Sequence, residues 1–261
     1  MVHRSSLIAL TFAAWLVACG ETHVTLLAPI VTDAAAPPAL APSHLIHRYS
    51  FDGDGTRAVD SVGSADGRLQ GGAVLDGAGH ATLDGTDDYI DLPNGLLSGS
   101  SDATLIAWLA WNGGPCWQRV FDFGSTDAGE DQVGNATSSL FATPKRCPGT
   151  GPATSFTTVS NEFGSVDSDI AFPVLSVSAL AVVVDSNAHE LRLYAAGESL
   201  GKGKAQPLAL LSDENDWLGR SQWVQDTYLR GTYDEFRIYD AALSDADLAA
   251  LEAAGPDALG Q

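Results

Sequence analysis

Short apolar runs, many alternating with polar residues, recur along the chain from about residue 44 onward. Alternation at every second position is the pattern of a β-strand with one buried face. Gly, Pro, Asp, Asn and Ser separate the runs, and these residues favour turns. We therefore predict an all-β sandwich of two antiparallel sheets. The predicted strands are residues 45–51, 79–85, 88–93, 103–112, 117–124, 138–144, 153–159, 178–185, 189–197 and 233–240.

One segment near the C-terminus predicts a helix instead. Ser244 is a good N-cap residue, and Asp247 stands three positions later, as in a capping box. Gly255 and Pro256 then end the helix, which we predict from Ser244 to Ala254.

The last predicted strand, residues 233–240, raises a question about Asp234. Strict alternation places Asp234 on the same face as Phe236 and Ile238, which have the character of core residues. A buried carboxylate without a partner is costly. We therefore expect a specific partner for Asp234.

The charge of the chain narrows the classes of partner. Thirty-three acidic and 13 basic residues give a formal net charge of −20. Such a surface repels phosphate backbones, so nucleic-acid binding is not expected. It suits hard cations such as calcium, which take oxygen ligands. We assign most of the acidic residues to solvated loops and turns.

The N-terminus has the features of an export signal. Arg4 precedes an apolar run from about residue 7 to residue 18, which is too short to span a bilayer. The run ends in Leu-Val-Ala-Cys, which resembles the bacterial lipobox and implies cleavage before Cys19 and lipidation of its thiol. We expect an exported protein that is lipid-anchored at the bacterial cell envelope, with the outer membrane as the expected site. The alternative is an ordinary signal peptide with an incidental cysteine.

These features divide the chain into four parts. Residues 1–19 form the lipoprotein signal peptide, and the Ala- and Pro-rich residues 20–43 form an extended tether. Residues 44–254 form one domain, followed by a tail at 255–261.

The two remaining cysteines, Cys116 and Cys147, are 31 positions apart. An exported protein meets conditions in which disulfides persist, so we expect them to be bridged. Two free buried thiols are the alternative.

Several segments, taken in order, resemble one known family. They include HRYSFDGDGTRAVDSVGSADGRLQGGA, LDGTDDYIDLP, ATLIAWLAW, RVFDFG, LAVVVD, LRLYAAG, WLGRSQW and GTYDEFRIYDAALSDADL. Together they resemble the laminin G-like domain of the concanavalin A-like lectin and glucanase superfamily, over about residues 44–252. The resemblance implies a two-sheet antiparallel jelly roll in which the first and last strands meet.

The resemblance also implies a metal site. Many such domains hold a structural calcium where the N-terminal segment meets the last strand, which here points to Asp60 and Asp234. Calcium takes six to eight oxygens, so carbonyl groups and water would supply the rest. The alternative is that Asp234 accepts hydrogen bonds from backbone N–H groups of the opposite loop.

The superfamily contains glucanases, so catalysis must be considered. Retaining glycosidases need two carboxylates close together, and laminarinase-type members carry them on a Glu-x-Asp-x-Glu-like strand. This chain has no such run. We interpret Glu235 and Arg237 as an outward ion pair of little energy. The sequence therefore favours a protein that is not an enzyme.

Four tryptophans in or beside predicted loops are candidates for sugar stacking: Trp111, Trp117, Trp217 and Trp223. A buried tryptophan often anchors a core instead, as we expect for Trp108. The loop residues Arg220, Gln222 and Trp223 are predicted to form a surface ligand-binding patch. We expect a non-catalytic recognition module that binds carbohydrate. A protein-binding or structural envelope lipoprotein is the first alternative, with an extracellular protein as partner, and a divergent glycoside hydrolase is the second.

Overall fold

The computed structural model describes residues 44–258. The predicted signal peptide with Cys19 and the predicted tether at 20–43 lie outside the described residues. No helix within residues 44–258 is long and apolar enough to cross a membrane.

Strands dominate the described part of the chain. A short 3-10 turn, Leu208–Leu210, and one helix, α1 (Asp245–Ala254), complete the elements. The strands in chain order are β1 Leu45–Tyr49, β2 Asp54–Gly55, β3 Arg57–Ala58, β4 Gly67–Gln70, β5 Leu75–Asp76, β6 Ala81–Asp84, β7 Tyr89–Leu92, β8 Ala103–Trp111, β9 Phe121–Thr126, β10 Ala136–Thr143, β11 Ala153–Thr157, β12 Phe163–Asp167, β13 Val177–Asp185, β14 Glu190–Ala195, β15 Glu198–Lys204, β16 Asn215–Leu218 and β17 Arg230–Tyr239.

The strands form two antiparallel sheets, which confirms the predicted all-β sandwich and is consistent with a jelly roll. Sheet A has nine strands in the order β15-β14-β13-β8-β17-β6-β5-β2, with β1 added beside the C-terminal half of β17. Sheet B has eight strands in the order β12-β11-β10-β9-β16-β7-β4-β3. The first and last strands meet as expected, and the His44 carbonyl accepts a hydrogen bond from the Asp240 N–H at 2.9 Å.

The main core lies between the two sheets. Phe236 on β17 packs against Phe121 and Phe123 on β9, with ring centroids 6.0 and 6.2 Å apart. All three rings are fully buried. Burial of each such side chain stabilises the fold by roughly 1.5–3 kcal/mol, so this cluster fixes how the sheets face one another.

Helix α1 covers part of the outer face of sheet A. Its N-terminus carries the predicted capping box, in which the Ser244 hydroxyl accepts from the Asp247 N–H and the Asp247 carboxylate accepts from the Ser244 N–H. Leu248 and Leu251 pack over Trp108 in a second apolar cluster. Trp108 is 2% exposed, so its predicted core position is confirmed, although its cluster lies under the helix and not between the sheets.

A β-bulge changes the faces of β17. The pairing of β17 with β8 shifts between Tyr233 and Glu235, so Asp234 is an extra residue in the strand. Tyr233 therefore joins Phe236 in the main core. The prediction that Asp234 shares the face of Phe236 is wrong, because the inserted residue breaks the alternation. Asp234 instead faces His80, with its Oδ1 3.3 Å from the His80 Nε2.

The predicted outward pair of Glu235 and Arg237 is buried. Their side chains are each 1% exposed, under the C-terminal segment on the outer face of sheet A. Glu235 also pairs with Arg48 on β1, at 2.5 Å between Arg48 Nε and Glu235 Oε1. The prediction of an exposed pair of little energy is wrong, because the segment around Pro256 packs on Arg237 and the Arg48 side chain of β1 pairs with Glu235.

Candidate functional site

The outer face of sheet B carries a row of side chains that the strand register places side by side. Phe141 on β10 pairs with Asp122 on β9, and Asp122 pairs in turn with Trp217 on β16. Trp217 pairs with Asp91 on β7. The residues next to them in sequence, such as Phe121 and Phe123, point into the core. This row therefore forms the floor of any cavity between the outer face of sheet B and the loops that lie over it.

Two loops rise over this floor. The first, residues 112–120, joins β8 to β9, and the second, residues 219–229, joins β16 to β17. A disulfide between Cys116 and Cys147 ties the first loop to the segment after β10, which confirms the predicted bridge. Beside it, the Trp117 N–H donates to the Lys145 carbonyl at 2.9 Å. The loop that presents Trp117 is thus held in place by a disulfide and by a backbone hydrogen bond.

The loops and the floor enclose an open cavity of about 260 Å³, which we call the aromatic cavity. Trp117 and Trp223 stand nearly perpendicular to the Phe141 ring, at 84° and 85°, with centroids 6.4 and 5.9 Å from it. The two indoles therefore form walls and Phe141 forms part of the base. The cavity is lined by Trp117, Arg119, Phe141, Trp223, Gln225 and Asp226.

Arg119 lies at the base of the aromatic cavity. Its guanidinium carbon is 4.0 Å from the centroid of Phe141 and 5.3 Å from that of Trp223. Arg119 Nε donates to Asp122 Oδ2 at 3.0 Å, and Nη2 donates to Asp226 Oδ2 at 2.7 Å. Nη1 donates to the Trp117 carbonyl at 2.8 Å. The side chain is therefore fixed by stacking and by hydrogen bonds through all its nitrogen atoms.

Asp122 supports the second loop from below. Its Oδ2 accepts from the Gln222 N–H at 3.1 Å and from the Ser221 hydroxyl at 3.4 Å, in addition to Arg119. Its Oδ1 is buried and accepts no hydrogen bond within residues 44–258. Burial raises the pKa of Asp122 to about 6, although the Arg119 charge acts in the opposite direction.

The structure separates the predicted patch of Arg220, Gln222 and Trp223. Trp223 lines the aromatic cavity. Gln222 has no exposed surface, and its side-chain amide donates to the carbonyls of Asp122 and Asn215. The predicted surface position of Gln222 is therefore wrong. The loop folds over sheet B, and the Gln222 amide points inward to the backbone carbonyls of Asp122 and Asn215.

Arg220 lies beside the aromatic cavity and not within its lining. It is 8% exposed, and its guanidinium carbon is 4.0 Å from the centroid of Trp217 and 4.5 Å from that of Tyr89. Its Nη2 donates to the Asp131 carbonyl at 3.3 Å. Arg220 thus closes the outer face of sheet B over the buried Trp217.

Sequence reasoning missed Arg119, Phe141 and Asp226. Trp117 and Trp223 carried the available signal, as tryptophans beside predicted loops, whereas Trp217 is buried. Nothing local in the sequence distinguishes Phe141 from the core phenylalanines, since its role comes from the register of β10 with β9.

Asp60, a predicted calcium ligand, is surrounded by donors of the chain. One oxygen accepts from the backbone N–H groups of Arg48, Val62 and Gly63, and the other from His47 Nδ1 and the Ala65 N–H. These hydrogen bonds, led by that of His47, lower its pKa although burial opposes them. A carboxylate offers about four lone-pair sites, and five donors of the chain already approach those of Asp60.

Asp234, the second predicted ligand, lies next to His80, and burial raises its pKa while the His80 charge opposes that shift. Within residues 44–258, the group of three acidic side chains close enough to share an ion belongs to a different loop. They are Asp84, Asp87 and Asp88, whose carboxylate oxygens lie within 4.8 Å of one another. The calcium at Asp60 and Asp234 stays a prediction.

Comparison with known proteins identifies the fold. A family model described as the concanavalin A-like lectin/glucanases superfamily, Laminin_G_3, matches residues 84–249. Comparison with curated protein sequences gives no match.

Three solved structures illustrate the likeness. Domain 4 of AbnA, a GH43 extracellular arabinanase from Geobacillus stearothermophilus solved in complex with arabinotriose, has a TM-score of 0.63 at 21% identity, covering 79% of this chain and 97% of that one. The botulinum neurotoxin serotype D binding domain has a TM-score of 0.58 at 13% identity, covering 81% of this chain and 52% of that one. Trypanosoma rangeli sialidase, in complex with sialic acid, has a TM-score of 0.62 at 14% identity, covering 84% of this chain and 33% of that one. At these identities the likeness establishes the fold alone.

Proposed function

Because this chain belongs to the concanavalin A-like lectin/glucanases superfamily, we propose that it is a non-catalytic recognition module that binds carbohydrate in the aromatic cavity. The fold is shared by enzymes and by binding domains, so membership alone does not choose between them. The choice rests on the chemistry of the cavity.

The observation that supports binding is the pair of indole walls over an aromatic base. Ligand sites are lined mainly by apolar and aromatic groups, with a few polar groups that set orientation. Trp117 and Trp223 offer flat faces to the C–H surface of a sugar ring, and both are partly exposed. Gln225 and Asp226 at the same cavity supply hydrogen-bonding groups for hydroxyls. The arabinotriose complex of the arabinanase domain is in keeping with this class of ligand.

The carboxylates of the cavity support binding over hydrolysis. Glycosidases use two carboxyl groups that flank the scissile bond, one of them a general acid with a raised pKa. Asp122 has the raised pKa but no exposed surface, and its Oδ2 is committed to Arg119. Asp226 is paired with the same arginine. A divergent glycoside hydrolase therefore remains the alternative with weaker support.

The setting of the module is part of the proposal. The lipobox-like sequence ending at Cys19 supports a lipid anchor at the bacterial cell envelope, with the Ala- and Pro-rich residues 20–43 as tether. In that position the module would bind glycans at the cell surface. A protein-binding or structural role for the envelope lipoprotein is the second alternative.

The test is a panel of neutral plant and microbial polysaccharides, including arabinan, probed with the purified chain. We expect retention of at least one glycan and a roughly tenfold weaker Kd for Trp223→Ala, equivalent to about 1.4 kcal/mol of lost stacking. Phe163→Ala, at an aromatic residue that is 65% exposed outside the cavity, is the matched control and should bind normally.

Two further measurements separate the alternatives. Release of new reducing ends from a retained glycan would establish the hydrolase, and an empty panel would favour a protein partner. Repeating the panel with calcium and with a chelator tests the predicted metal, because only a calcium-dependent site loses binding on chelation.

A further inference from the structure

We infer that the aromatic cavity selects uncharged sugars and rejects acidic ones, because its arginine is masked by two aspartates and because one of these, Asp226, adds a carboxylate to the cavity lining. The inference rests on the proposed function and names the class of ligand.

Arg119 is the cationic side chain of the aromatic cavity. An arginine with free N–H groups can bind an anionic group of a ligand, because its planar fork matches carboxylate and phosphate geometry. Here Nε and Nη2 donate to Asp122 and Asp226, and Nη1 donates to the Trp117 carbonyl. The side chain is 3% exposed and stacked on Phe141, which prevents it from turning toward a ligand. Its charge is therefore neutralised inside the chain.

Asp226 lines the aromatic cavity beside Arg119. Its Oδ2 accepts from Arg119 Nη2 at 2.7 Å and from the Ser221 hydroxyl at 2.9 Å. No hydrogen bond from residues 44–258 reaches its Oδ1, and the residue lines the cavity. An ionised carboxylate only accepts hydrogen bonds. It therefore favours ligands that present hydroxyl donors and repels a carboxylate or sulfate placed in the same position.

Arg119 contributes one positive charge at the base of the cavity, against the carboxylates of Asp122 and Asp226. At neutral pH the base of the cavity therefore carries no net positive charge. The net charge of −20 adds a repulsion that does not depend on the cavity. The experiment must separate these two contributions.

The experiment compares the Kd of the full chain for a neutral hexose oligosaccharide from the panel with that for the same oligosaccharide in which a C6 hydroxymethyl group is oxidised to a carboxylate. We expect the neutral form to bind at least tenfold more tightly. Equal affinity would overturn the inference while leaving the proposed function intact. Binding of neither form, and of no other glycan, would instead refute the proposed function.

Two matched variants assign the selectivity to the cavity. Asp226→Asn keeps the size of the side chain, removes its charge and weakens its pairing with Arg119 Nη2, so the ratio of the two Kd values should fall at least fivefold. Asp257→Asn makes the same change in net charge at an exposed residue beyond α1 and should leave the ratio unchanged. An unchanged ratio in Asp226→Asn, with its thermal unfolding intact, would overturn the role of Asp226. If that variant does not fold, the ratio for the native chain still decides the inference.

Discussion

Arg48, Glu235 and Arg237 form a buried ionic chain on the outer face of sheet A. Glu235 accepts from Arg48 through Nε and Nη2 and from Arg237 through Nε. The Arg237 guanidinium carbon also lies 4.8 Å from the centroid of Trp108. Burial raises the pKa of Glu235, and the hydrogen bonds and charges of the two arginines oppose that shift. One carboxylate therefore balances the buried Arg237 and the partly buried Arg48.

At this residue scale we predict that Glu235→Ala destabilises the protein by roughly 3–5 kcal/mol, since it leaves buried charge without a partner. The free energy of unfolding in urea measures the loss. Glu198→Ala, at an exposed glutamate on β15, is the control and should change stability by less than about 0.5 kcal/mol. Equal effects of the two substitutions would show that the ion pairs of Glu235 add no more to the free energy of unfolding than an exposed glutamate does.

At the scale of elements, the disulfide joins stability to the proposed site. Cys116 directly precedes Trp117, one wall of the aromatic cavity, and Cys147 follows β10, which carries Phe141. The bridge therefore holds a wall of the cavity in place over its base.

We predict that the double variant Cys116→Ser, Cys147→Ser loses about 3.5–4 kcal/mol of stability in the chain-entropy model, together with glycan affinity. Urea unfolding with and without reductant measures the first, and the Kd for a retained glycan measures the second. Reductant should weaken the native chain and leave the double variant unchanged. Full reduction of the native chain, verified by thiol labelling, without any change in Kd would contradict the link to Trp117.

The same scale shows what the sequence predicts and what it does not. Each predicted strand overlaps an observed one, because alternation and turn residues are local signals. Strands β2, β3 and β5 are two residues long, which is too short to show an alternating pattern. Strand β15 has the Gly-rich sequence ESLGKGK, which does not favour a strand. The bulge at Asp234 is likewise invisible, since it is defined by pairing with β8.

The candidate site was predictable only in part. Trp117 and Trp223 stand out as tryptophans beside loops, and Trp223 was expected in the patch. Arg119 and Phe141 reach the cavity through the register of sheet B and the fold of two loops that are distant in sequence. Such juxtapositions are non-local, so no window of the sequence contains them.

At the scale of the whole molecule, buried carboxyl groups set the response to pH. Burial raises the pKa of Asp122 to about 6 and that of Asp216 well above its usual value of 3.8. Between pH 6 and 4 the folded state therefore binds protons that the unfolded state does not, so acidification through this range favours folding. Hydrogen bonds lower the pKa of other carboxyls, such as Asp60 and Asp66, and their contribution is lost below about pH 4.

We predict that the free energy of unfolding rises as the pH falls from 7.5 to about 5 and decreases again below about pH 4. Reduced repulsion among the surface acids acts in the same direction in the upper range. Asp122→Asn isolates the buried group, and its rise between pH 7.5 and 5 should be smaller than that of the native chain. A stability that increases steadily from pH 5 to 7.5 in the native chain would refute the assignment.

The pairing of β1 with the end of β17 brings the first and the last strand of the fold together. There the Asp240 N–H donates a hydrogen bond to the His44 carbonyl. The aromatic cavity lies on sheet B, built from other strands. A domain arranged in this way needs a single attachment point, and it can be spliced into a loop of another protein or copied in tandem. Each copy would keep its cavity intact, so the fold is suited to gain avidity by repetition and not by remodelling its site.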